Sequence, residues 1–139
     1  MEYKRFDDVI ALRLDKGDDI AESVYKVAKR EGITAASVSG IGATDNFTVG
    51  VFDTAKKEYE KFDFRGNCEI NALVGNITQK DGEPYIHLHI TATGKDGKVV
   101  GGHLVMGVIS LTAEITITVL SGAISREFNE ELGINRWKF

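Results

Sequence analysis

From Val9 to Leu14 apolar and polar residues alternate, the period of a half-buried strand. Lys16-Gly17-Asp18-Asp19 breaks that alternation, and Asp18 or Asp19 can cap a helix by accepting a bond from its orphan backbone N–H groups. Ile20, Val24, Val27 and Ala28 then recur at helical spacing and give one apolar face. Lys29 and Arg30 suit the negative end of that helix, and Gly32 suits a left-handed stop. The remainder reads as strands: Ile33 to Ser39, Thr48 to Phe52, Glu58 to Phe64, Glu69 to Thr78, Tyr85 to Thr93, Lys98 to Val108 and Ala113 to Leu120. Turns are expected around Asp53 to Lys57 and at Gln79 to Pro84, where the chain's only proline enters a strand. The last stretch, Ser125 to Phe139, is charged and then aromatic; the run from Arg126 to Glu131 reads as a solvated terminus, and Trp137 and Phe139 as packing or trimer contacts.

One hairpin carries most of the chemical information. Ile86, Leu88, Ile90 and Ala92 fall on one face of their strand, and His87, His89, Thr91 and Thr93 on the other. A three-residue loop, Lys95-Asp96-Gly97, puts Gly97 at the left-handed position such loops favour. In that register Gly94 faces Lys98, Ala92 faces Val100, Leu88 faces Leu104 and Ile86 faces Met106. His89 then lies opposite His103, with His87 two residues along on the same face. A loop shorter by one residue would send His103 to the other side and mix apolar with polar partners. The apolar pattern and the histidine pattern therefore select the same register.

Cβ atoms of directly opposed residues lie about 4.5–5.5 Å apart. Imidazoles from such positions can converge on one divalent ion at about 2.0–2.1 Å, as zinc requires, and three of them leave a coordination position open. His87, His89 and His103, the chain's only histidines, are thus the candidate metal ligands, with zinc the first expectation and iron, nickel and copper the other ions that accept imidazole. Glu69 is a candidate partner for one imidazole or a base acting on metal-bound water; otherwise it is a strand carboxylate paired with a basic residue such as Arg13.

The totals narrow the setting. At 139 residues, 42% hydrophobic and 27% charged, the chain reads as a single domain over residues 1–139 with a core that needs no staples. Its net charge of −4 does not favour nucleic acid, whose binding rests on Lys and Arg at phosphates. The single cysteine, Cys68, forms no intrachain disulfide and reads as a buried thiol. Its solitude, an acidic opening unlike a secretory signal, and the lack of any apolar run of about 20 residues lead to the expectation of a cytoplasmic protein with no membrane association. Gly40, Gly42, Gly101 and Gly102 lack phosphate-loop spacing and are expected to permit close backbone approach.

Several of these segments resemble one family. Gly97-Lys98-Val99-Val100-Gly101-Gly102-His103 is similar to the Gly-rich signature of the PPC ("plants and prokaryotes conserved") domain, DUF296. Gly66-Asn67-Cys68-Glu69-Ile70, Ser39-Gly40-Ile41-Gly42-Ala43, and Arg13-Leu14 with Gly17 resemble its other motifs, in order along essentially the whole chain. The resemblance implies an α/β (α+β) fold, a mainly antiparallel β-sheet with one or two helices, assembled as a homotrimer. It implies a domain that in prokaryotic members stands alone and often keeps the clustered histidines; the role expected of this chain is binding of a small molecule or a partner. Plant members pair the domain with a DNA-binding AT-hook; here the nearest string, Arg65-Gly66-Asn67, lacks the hook's second arginine and its proline. A metal-dependent hydrolase or lyase and a DNA-binding regulator are the alternative roles. Cupins also use His-x-His, but carry a Glu shortly after the pair where this chain has Thr93.

Overall fold

The computed structural model describes all residues, 1–139. Eight strands and one helix follow in the order β1 (Glu2–Phe6), β2 (Val9–Asp15), α1 (Ile20–Arg30), β3 (Ala36–Asp53), β4 (Glu58–Lys80), β5 (Glu83–Gly94), β6 (Val99–Val119), β7 (Ser125–Asn129) and β8 (Ile134–Lys138). The strands pair in the order β1-β2-β6-β3-β4-β7-β8, and β5 joins both β4 and β6. Strands β3, β4, β5 and β6 therefore close a ring of antiparallel ladders, with β1 and β2 extending one side. The only parallel contact is the single rung between Gln79 and Ser125. The expected mainly antiparallel sheet with a single helix is what the chain adopts.

Helix α1 follows its sequence signals closely. The Asp19 side chain accepts from Glu22 N at 2.9 Å, while Asp18 instead accepts from Asp15 N. At the far end Gly32 N bonds Lys29 O and Ile33 N bonds Ala28 O, closing the last turn. Ile20, Val24, Val27 and Ala28 are buried, and the helix packs on β5 and β6. The core it covers includes Leu73, Ile77, Leu88, Ile90 and Ala92, the inward residues of the β4–β5 ladder.

Three strands are longer than the alternation suggests. The segments expected at Ile33–Ser39 and Thr48–Phe52 fall on one 18-residue strand, β3, which begins at Ala36, so Ile33 to Ala35 precede it. Glu58–Phe64 and Glu69–Thr78 lie on one 23-residue strand, β4, and the segments expected at 98–108 and 113–120 merge, but for Lys98 and Leu120 at their ends, into one 21-residue strand, β6. The lapses in alternation mark register shifts, at Gly40/Gly42, Thr44/Asn46 and Thr48/Val49, where a strand bends and continues. Gly40, Gly42, Gly101 and Gly102 each lie where a Cβ would press on the neighbouring strand, as their spacing suggested. The C-terminal stretch is not a loose terminus: Arg126 faces Trp137 across the β7–β8 hairpin.

Candidate metal centre

The hairpin forms in the predicted register. Gly97 has φ +75°, its N–H bonds Gly94 O at 2.9 Å, and Gly94 N bonds Lys98 O at 3.0 Å. Ala92 pairs with Val100, and His89 pairs with His103. That rung is the last. Beyond it the β5–β6 ladder ends, so the expected pairs Leu88–Leu104 and Ile86–Met106 do not form, while Leu104 pairs with Val49 and Met106 with Thr48 on β3. A register shift between β3 and β6 at Thr48/Val49 lies just beyond the point where β6 leaves β5.

On its other side β5 is paired with β4: His89 faces Val74, His87 faces Asn76 and Tyr85 faces Thr78. Opposed residues share a face, so β4, β5 and β6 present His87, His89, His103, Asn76, Thr78 and Tyr85 to the same space. Gly75 makes this close packing feasible, because a Cβ there would run into the backbone carbonyl of His87.

The three histidines converge. One ring nitrogen from each lies within 4.8 Å of the other two. Ring centroids are 5.2 Å apart for His87–His89, 5.1 Å for His87–His103 and 5.5 Å for His89–His103. No carboxylate joins the cluster. Tyr59 on β4 stacks on His103, with centroids 4.8 Å apart and planes 27° apart, in space that a side chain at Gly50 would fill.

Burial shapes the chemistry of these rings. Desolvation, then the nearby His103, Arg126 and His89, pulls the His87 pKa down to about 4. Desolvation and His89 lower that of His103. Both rings are therefore neutral at pH 7, the form that ligates a metal. His103 Nδ1 is buried with no hydrogen-bond partner. A buried polar atom without a partner is uncommon, and an ion would satisfy it if that nitrogen faces the centre. The donor set and this orphaned nitrogen both fit a divalent metal.

The lowered pKa also has a signature in the metal-free protein. Between about 4 and 6.5 the unfolded chain binds a proton at residue 87 that the folded chain does not. Stability contributed by this group is complete above pH 6.5 and is lost as the pH falls toward 4. In urea titrations of metal-free protein the midpoint at pH 5 is expected below that at pH 7, with a smaller difference in His87→Gln.

Arg126, on β7, reaches this face from outside the hairpin, and sequence reasoning missed it. Its Nε donates to Thr78 Oγ1 at 2.8 Å, Nη2 to Asn76 Oδ1 at 2.8 Å, and Nη1 to Asn135 O at 3.1 Å. Its guanidinium lies 4.4 Å from the Tyr85 ring centroid, and Nη2 approaches His87 Nδ1 at 3.5 Å. That last distance is too long to fix the imidazole tautomer.

Glu69 is placed elsewhere. It pairs with Thr93, four residues along β5 from His89, and lines a polar groove with Lys16, Asp45 and Lys95. Arg13 is not its partner, since that guanidinium bonds Glu2 and Asp15. Cys68 is half-buried, its thiol donates to Gly66 O at 3.4 Å, and burial raises its pKa.

With this geometry in hand, comparison with known proteins assigns the family. The sequence profile of the Plants and Prokaryotes Conserved (PCC) domain matches residues 1–121. The chain belongs to the PCC domain family. A metal-containing protein from Archaeoglobus fulgidus is 37% identical, with a TM-score of 0.89 over 99% of this chain and 97% of that one. A candidate DNA-binding protein from Bacteroides thetaiotaomicron is 31% identical, with a TM-score of 0.96 over 99% of this chain and 96% of its own. A curated relative, the bifunctional protein GlmU from a Synechococcus strain, is 30% identical over 125 residues, which cover 88% of this chain but only 18% of that protein. This PCC domain thus spans about a fifth of that relative's length. No helix of the PCC chain is long and apolar enough to cross a membrane.

Proposed function

We propose that this PCC protein binds one divalent ion, zinc by preference, through His87, His89 and His103, and uses that centre to bind a small molecule or a partner. The observation that carries the reading is the convergence of one nitrogen from each ring within 4.8 Å. The neutral imidazoles, the orphaned Nδ1 of His103 and the metal-containing archaeal relative support it. Imidazole suits zinc, and three such ligands leave one position for an exogenous group. We place the protein in the cytoplasm and assign it the homotrimeric assembly that its family resemblance implies. Exposed apolar side chains at Ile41 and Val74, beside an open groove, offer a surface for such assembly.

A hydrolase or lyase reading would need a base near the metal, and Glu69 does not join the histidines. DNA binding rests on the description of the Bacteroides relative and stands against a net charge of −4.

The test is metal analysis of protein purified without a histidine tag, together with its mass in solution. The expected result is about one zinc per chain, a trimeric mass by light scattering, and no mobility shift of duplex DNA at low salt. Protein that contains no metal and shows no thermal shift with added zinc would sink the metal assignment. A monomer would remove the trimer, and a salt-sensitive DNA complex would favour the regulator.

A further inference from the structure

Arg126 lies outside residues 1–121, the span matched by the family profile, yet it enters the face that carries the histidines. Its guanidinium is half-buried and forms no salt bridge; each of its short hydrogen bonds goes to a neutral oxygen of Thr78, Asn76 or Asn135. Burying a cation without a counter-charge is costly. The neighbouring cluster offers no compensation, because it contains three imidazoles and no carboxylate. Once a divalent ion is bound there, two centres of positive charge face one space with no fixed negative charge among their ligands.

Resting on the metal reading above, we propose that Arg126 and the metal together form a binding site for the carboxylate of a small organic acid. One carboxylate oxygen takes the open coordination position, and the other accepts from Arg126. The Arg126 Nη2 atom is 3.5 Å from His87 Nδ1, so the guanidinium and an ion held by that ring lie within the span of one small anion. The bonds to Thr78, Asn76 and Asn135 fix the plane of the guanidinium and use three of its five N–H groups. The remaining two, one on each terminal nitrogen, are free to donate to the carboxylate oxygen that is not on the ion. Tyr85 beneath Arg126 and Tyr59 against His103 provide aromatic walls for the carbon skeleton of the acid.

The test uses the full chain loaded with cobalt(II), whose visible spectrum reports the coordination of the ion. Pyruvate, acetate and inorganic phosphate are the probes. Pyruvate and acetate are expected to change the spectrum saturably, and phosphate more weakly. Arg126→Met is expected to weaken pyruvate binding roughly tenfold or more, and Arg126→Lys, which keeps the charge without the planar fork, by an intermediate factor. Cobalt affinity in both variants should equal or exceed that of the parent, since a neighbouring cation has been removed or made mobile. That retained affinity also shows that the variants fold.

A parent protein that takes up cobalt but gives no response to pyruvate or acetate overturns this site while leaving the metal reading intact. A parent that takes up no metal overturns both. Unchanged pyruvate affinity in Arg126→Met and Arg126→Lys removes the arginine from the site, and phosphate binding as tight as pyruvate overturns the assignment to carboxylates.

Discussion

Replacing His103 with alanine is expected to abolish metal binding and the thermal stabilisation that zinc confers on the parent protein. An ion present at about 100 times its Kd stabilises the folded state by about 2.7 kcal/mol. For a domain of this size that corresponds to a rise in Tm of roughly 10 °C. In the variant only two ligands remain, and differential scanning calorimetry should show no rise. The metal-free variant should lose less stability than the burial of residue 103 suggests. The substitution removes the stacking on Tyr59, but it also removes a buried nitrogen that has no partner. A zinc-dependent rise that persists in His103→Ala would remove this residue from the ligand set.

Gly75→Ala is expected to be the most damaging small substitution near the centre. The added methyl group would meet the backbone carbonyl of His87 and the Cα of Leu88, neither of which can turn aside as a flexible side chain would. The β4–β5 ladder must open at the Gly75–Leu88 rung, between those of His87 and His89. Overpacking of this kind costs about 1–3 kcal/mol, sometimes more. Because the displaced strand carries two of the three imidazoles, zinc affinity should fall together with stability. Urea unfolding of the metal-free protein and zinc titration of the folded variant measure the two effects separately. A variant as stable as the parent, binding zinc equally well, would show that the ladder has slack at this position.

These expectations draw on features that differ in how openly the sequence displays them. The register of the β5–β6 hairpin is local: five consecutive residues, Gly94 to Lys98, choose the turn, and the turn determines which histidine faces which. The helix is local for the same reason, with its cap and stop within a few residues of its ends. The length of β3, β4 and β6 is not local. A bulge and a turn both interrupt alternation, and only pairing with a distant strand distinguishes them. Arg126 was equally hidden. It is 39 positions from His87, and its approach depends on a parallel rung between Gln79 and Ser125 that no turn motif announces. Glu69 shows the converse: its motif drew attention, but its rung on β4 carries it away from the imidazoles.

The parting of β5 and β6 gives the histidine cluster a mechanical meaning. Residue 103 is the final β6 position still tied to β5; it also pairs with Gly50 on β3, and beyond it β6 keeps only its β3 partner on this side. An ion gripped by residues 87, 89 and 103 would act as a rivet at the tip of that fork. Splitting the seam and releasing the ion would then be a single event, and slow metal loss would follow from the stiffness of the surrounding ring of strands.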